Sequence, residues 1–159
     1  MAPVQQAAFT ADGRLSARHG NDAVSVSFAW KHAPPHDDIT LSSPLGQIVA
    51  ELSGDASAHH ARVLLADGRT VVADGFSALT ERALGFPLPV TGLAAWIRGG
   101  PHEGSPHQVV IGASGRTDTL RQDGWEIIYD YADALAQRPE RLRLIYPDVE
   151  VRVVIDRLE

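Results

Sequence analysis

Ala23-Val24-Ser25-Val26-Ser27-Phe28-Ala29-Trp30 sets Val24, Val26, Phe28 and Trp30 on one side of an extended chain and Ser25, Ser27 and Ala29 on the other. A period of two marks a strand with one buried and one wet face. The same rhythm returns in Ile39 and Leu41, in Ile48, Ala50 and Leu52, in Val63 and Leu65, and in Trp125, Ile127, Tyr129 and Tyr131. It also closes the chain, where Val149, Val151, Val153 and Ile155 alternate with Glu150, Arg152 and Asp156. Parallel strands covered on both faces would read as unbroken apolar runs, so the sheet is expected to be antiparallel.

Turn chemistry lies between these stretches. Asp67-Gly68, Asp74-Gly75, Asp123-Gly124, Ser53-Gly54 and Ser114-Gly115 supply residues that tolerate the positive φ of tight turns, which predicts a meander. Asp12-Gly13 admits two readings, a hairpin turn or a glycine bulge inside a longer first strand. After Asp74 the spacing changes. Phe76, Leu79, Ala83 and Leu84 fit a short helix with Ser77 as N-cap and Gly85 as its stop. Beyond Pro87-Leu88-Pro89, the residues Val90, Leu93, Trp96 and Ile97 make a second apolar stripe ending at Gly99-Gly100-Pro101. Two short helices flanked by strands cannot be the crossovers of an alternating α/β fold. They predict a cover on a curved sheet. The least structured stretch is expected at 102–106, which is polar and rich in Gly and Pro.

The chain's 159 residues suit one domain spanning 1–159, long enough to bury a substantial core. A formal charge of −6 argues against nucleic-acid binding, which needs clustered cations to displace counterions. With no Cys, disulfides, thiolate zinc sites and thiol nucleophiles are excluded. No stretch reaches the roughly 18 apolar residues of a membrane-spanning helix, and the chain is expected to be soluble.

Enzymatic readings find little support. His32 and His36 flank a turn near Asp37 and Asp38, and the adjacent His59 and His60 would point to opposite faces of a strand, so no metal site is expected. There is no Gly-x-Ser-x-Gly elbow, since Gly112-Ala113-Ser114-Gly115 is turn sequence. A single Lys, Lys31, and the lack of a glycine-rich phosphate loop leave no nucleotide site. Neither an enzyme nor a cofactor is expected. A curved sheet closed by two thin helices can instead enclose an apolar cavity. Its expected lining is Trp30, Ile48, Leu52, Leu65, Leu93, Trp96, Trp125 and Ile127. In Ser43-Pro44-Leu45-Gly46-Gln47 a bulky apolar residue stands where the chain must turn and meet water, so Leu45 is expected to be exposed.

Several blocks together resemble a known family. They are Gly13-Arg14-Leu15-Ser16, Phe28-Ala29-Trp30, Ser43-Pro44-Leu45-Gly46, Asp67-Gly68-Arg69 and Ala73-Asp74. Gly85-Phe86-Pro87-Leu88-Pro89 follows, leading through Leu93 to Trp96-Ile97-Arg98-Gly99, and then Gln122-Asp123-Gly124-Trp125 with Tyr129. In this order they are similar to the LolB family of outer-membrane lipoprotein receptors. The resemblance implies an open, incomplete antiparallel β-barrel with a short helical lid over an apolar cavity. It implies that triacylated lipoproteins are received from the periplasmic carrier LolA and inserted into the inner leaflet of the outer membrane, placing the protein at that membrane's periplasmic face. The insertion role of the Pro44-Leu45-Gly46 loop would fall on Leu45. Family members are usually lipoproteins with a signal peptide, a lipidated Cys and a helix ahead of the first strand; these residues carry none of them, which leaves either a trimmed form, for which the resemblance implies a native lipid anchor, or an unanchored member. The alternative function is a soluble LolA-like carrier of lipoproteins or other acyl ligands.

Overall fold

The computed structural model describes residues 7–55 and 58–159. Six strands come first: β1 (Phe9–His19), β2 (Asp22–Ala33), β3 (His36–Ser42), β4 (Ile48–Asp55), β5 (His60–Leu65) and β6 (Thr70–Ala73). Helices α1 (Phe76–Leu84) and α2 (Val90–Trp96) follow, then β7 (His107–Ile111), β8 (Thr117–Gln122), β9 (Trp125–Asp130), β10 (Arg141–Tyr146) and β11 (Val149–Leu158). The strands form one antiparallel sheet of 11 strands in the order β6-β5-β4-β3-β2-β1-β11-β10-β9-β8-β7. Pairing β1 with β11 joins the two meanders, while β6 and β7 remain as separate edges. The sheet is therefore open, and its inner face packs against α1 and α2.

Asp12-Gly13 is not a turn: it lies inside a regular β1, and the bulge is on the partner strand, where Asp156 of β11 is left unpaired opposite it. Gly13 pairs with Phe28 on β2, while the β1–β11 register slips between Asp12 and Gly13. A Cβ at Gly13 would run into the Val154 carbonyl and stand 3.1 Å from the Phe28 ring. Backbone cannot yield as a side-chain tip can. Gly13→Ala is accordingly expected to cost about 1–3 kcal/mol, the usual range for overpacking. Urea unfolding should show a lower midpoint at unchanged slope; a midpoint equal to the parent's would mean that the bulge opens freely.

Two expected turns are something else. Ser53-Gly54 lies inside β4, and the glycine is needed there because Phe76 of α1 packs on it, with a Cβ falling 2.6 Å from the ring. Asp74-Gly75 leads into α1, whose N-cap is Gly75 without a side-chain cap, and Ser77 lies inside the helix. Gly85 ends α1 as expected, at φ 89, its N–H donating to the Glu81 carbonyl. Strands β6, β7, β8 and β10 went unread in the sequence.

The expected cavity lining needs one correction. Ile48 is 52% exposed. A bulge between Leu41 and Ser42 sets Ala50 opposite Leu41 but Ile48 opposite Ser42, so the side chain follows Ser42 onto the outer face. Period-two counting back from Leu52 cannot see that extra residue.

Candidate functional site

Trp30, Leu52, Leu93, Trp96, Trp125 and Ile127 are all buried in one apolar cluster, with Leu65 packed against it partly buried. Their positions follow from the alternation, which turns every second side chain of β2, β4 and β9 inward. α2 is buried from Val90 through Trp96 except at Thr91, which is exposed. Trp96 lies back along its own helix over Gly92, where a Cβ would fall 2.6 Å from the indole. Leu79, Leu88, Trp96 and Ile97 fill the space beneath the lid. Any ligand entering this interior must displace side chains of the helices.

The two helices are held differently. Trp96 Nε1 donates to Gln122 Oε1 at 2.8 Å, and the Tyr129 hydroxyl donates to the Trp96 carbonyl at 2.7 Å, both buried. Gln122 Nε2 donates in turn to the carbonyls of His102 and Ser105, each at 2.9 Å, which ties the 102–106 loop to the same point. Burial, helped by neighbouring Tyr131, pushes the Tyr129 hydroxyl above its ordinary value, so it stays a proton donor to α2. α1 rests on apolar contacts, with one exposed hydrogen bond from Arg82 to the Val72 carbonyl at 3.1 Å. Thr80 joins it to the linker, donating to the Phe76 carbonyl at 2.8 Å and accepting from Leu88 N–H at 2.7 Å. Thus α2 is latched to β8 and β9 by buried polar bonds, whereas α1 lies on β5 and β6 through apolar packing.

Polar clusters near this interior do not assemble a nucleophile with its base. His102 Nε2 contacts Asp123 Oδ2 at 2.6 Å and the Ser105 hydroxyl donates to Asp123 Oδ1 at 2.5 Å, so the carboxylate stands between serine and imidazole. Burial raises the Asp123 carboxyl, but the hydrogen bonds from Ser105 and His102 outweigh it and leave the group below its usual range. At the β2–β3 end, Asp37 accepts from Trp30 Nε1 at 2.7 Å and meets His32 Nδ1 at 2.6 Å, both residues buried. Sequence reading missed this pair, although an inward Trp30 implies an inward His32, and Asp37 faces His32 across the hairpin. No group of three or more His, Asp or Glu suited to a metal occurs among the described residues.

Leu45 is 92% exposed. Its position is fixed by a tight hairpin: Gly46 N–H donates to the Ser43 carbonyl at 2.8 Å, and Ser43 N–H donates to the Gln47 carbonyl at 2.7 Å. Pro44 supplies the fixed φ of the second turn position, and Gly46 takes φ 90 at the bulge that rejoins the ladder. The backbone leaves Leu45 no route back to the core, and Ile48 extends the apolar tip.

A cleft of about 440 Å³ opens between the start of α1, the start of α2 and the strand ends that bear Trp125 and Tyr146. Those two rings stack at 4.9 Å and form its floor. Because strand direction alternates, the β1–β2, β3–β4, β5–β6, β8–β9 and β10–β11 turns all fall at one end of the strands. Leu45 and the floor of the cleft share that end.

Comparison with known proteins agrees with this architecture. A LolA superfamily protein from Nitrosomonas europaea has the same fold, with a TM-score of 0.54 at 8% identity over 97% of this chain and 86% of its own. Outer-membrane lipoprotein LolB of Chromobacterium violaceum is 38% identical, covering 94% of this chain and 79% of its own. Its counterpart from an Azoarcus species is 35% identical, covering 96% and 79%. The family model described as outer membrane lipoprotein LolB matches residues 7–157, the whole sheet with its lid and loop, and the chain belongs to the LolB family.

Proposed function

We propose that this protein acts at the outer membrane as a receptor that takes triacylated lipoproteins from a LolA-like periplasmic carrier and inserts them into the inner leaflet. The observation that carries the reading is Leu45, held in water by a rigid turn at the same end of the strands as the cleft between the starts of the two helices. Each acyl CH₂ exposed to water costs about 0.8 kcal/mol, so three long chains would cost on the order of 30 kcal/mol to carry bare. An apolar interior that opens onto a second one removes that barrier, and direction then needs only a difference in affinity between the two. The chains would enter by displacing α1, which apolar packing holds on the sheet's inner face, while the Trp96, Gln122 and Tyr129 bonds keep α2 in place. Leu45 would then enter the bilayer and regain the burial it forgoes in water.

The test is transfer of a labelled triacylated lipoprotein from purified carrier to this protein and onward to liposomes. Transfer at both steps is expected. Arrest after the first step would identify a soluble carrier instead, and no transfer at all would overturn the lipoprotein reading.

A further inference from the structure

Outward-facing side chains of β1, β2, β9, β10 and β11 line a groove of about 810 Å³ on the face of the sheet opposite the lid. Two cross-strand rows form it. Ser27, Arg14, Val154, Arg141 and Asp130 stand opposite one another in the first, and Ser25, Ser16, Arg152, Arg143 and Ile128 in the second. One cross-strand pairing in it is repulsive. Arg143 directly opposes Arg152, and like charges in that position repel. Both approach a single carboxylate, Glu150, at 3.7 and 3.6 Å, while Arg14 reaches Asp156 at 3.6 Å. These separations are too long for hydrogen bonds, so the planar donor forks of the guanidinium groups are unspent. The Arg141 side chain makes no ion pair or hydrogen bond with another described residue. Four arginines gathered this way in a chain of net charge −6 point to an anionic ligand, and their planar forks suit phosphate.

The neighbourhood of the groove selects the kind of anion. Pro44 lines it, so the Leu45 loop forms its rim. The first row continues from Ser27 through Ser42 on β3 to Ile48 on β4. At about 4.8 Å per strand, Arg14 lies roughly 14 Å and Arg141 roughly 24 Å across the sheet from Ile48. An apolar tip and an open row of arginines on one face match a surface with acyl chains below and phosphates above.

We propose that this groove docks on the phosphate headgroups of an anionic phospholipid surface, holding the protein on the membrane while the Leu45 loop enters it. The proposal deepens the insertion reading and rests on it for the role of Leu45, but not for the ligand of the arginines. Its test is sedimentation of the full chain with vesicles of phosphatidylethanolamine alone or mixed with phosphatidylglycerol, for the parent and for a double variant, Arg141→Gln with Arg143→Gln. Both positions are exposed and remote from the interior. The parent should prefer the anionic vesicles, the variant should lose about tenfold or more of that binding, and salt should erase the difference. Leu45→Glu should keep the lipid preference while losing delivery. Parent binding that ignores phosphatidylglycerol, or a variant equal to the parent, would overturn the proposal. So would a variant that binds vesicles normally but no longer accepts cargo, since the groove would then fit an acidic face of the carrier. A parent that prefers anionic vesicles yet delivers no lipoprotein would remove the insertion reading and leave the lipid contact standing.

Discussion

Leu45→Glu is expected to slow delivery of lipoprotein from this protein to liposomes by about ten- to a hundredfold, with uptake from the carrier and thermal stability both unchanged. The magnitude follows from burial: a leucine moved from water into hydrocarbon gains about 1.5–3 kcal/mol, and each 1.4 kcal/mol is a factor of ten. A carboxylate forfeits that gain and adds its own desolvation cost. Stability should not move, because the side chain is 92% exposed and contributes little to the folded core. The separation of effects is the informative part. A loop needed for cargo uptake would slow the first transfer as well, and an inert loop would slow neither.

Trp96→Ala is expected to lower unfolding stability by about 3–5 kcal/mol, the cost of removing a large aromatic from a closed core. For a domain of this size that is a fall in Tm of about 10 °C. Trp96 is fully buried, packs over Gly92, and joins α2 to Gln122 and Tyr129. Trp96→Phe separates the parts. It keeps most of the apolar volume and loses only the indole hydrogen bond, worth about 1 kcal/mol, because Gln122 Oε1 still accepts from His102 N–H at 3.1 Å. A loss below about 1 kcal/mol for Trp96→Ala would mean that the lid is not packed around this residue.

Much of this architecture was legible because period-two alternation is a direct consequence of strand geometry. The inward sets of β2, β9 and β11 read straight from the sequence. The misreadings have local physical causes. Ile48 leaves the inner face because a bulge adds one residue, and a two-residue period has no way to register the addition. Gly54 imitates a turn glycine, but its missing Cβ makes room for Phe76 from a helix that lies later in the chain. β7 has the apolar run Val109-Val110-Ile111 but buries none of it fully, and β8 turns the polar Gln122 inward, so neither shows the two-residue alternation of apolar and polar side chains. The Gln122 latch could not be read for the same reason, since its partners lie on α2 and in the 102–106 loop. The arginine rows exist only once register sets β1, β10 and β11 side by side. Leu45 was legible from chemistry alone, because Pro before it and Gly after it dictate the turn.

The central claim, that acyl chains enter the interior beneath the lid, has three natural reporters in Trp30, Trp96 and Trp125, all buried on the inner face. Lipoprotein whose acyl chains carry bromine, a quencher that acts near contact, should be bound to the protein and the tryptophan fluorescence followed, with Trp→Phe variants assigning the signal. Quenching of Trp96 and Trp125 is predicted, since the first forms the lid and the second floors the cleft. Stable binding of the brominated lipoprotein with the fluorescence of all three unchanged would place the chains elsewhere and contradict the account.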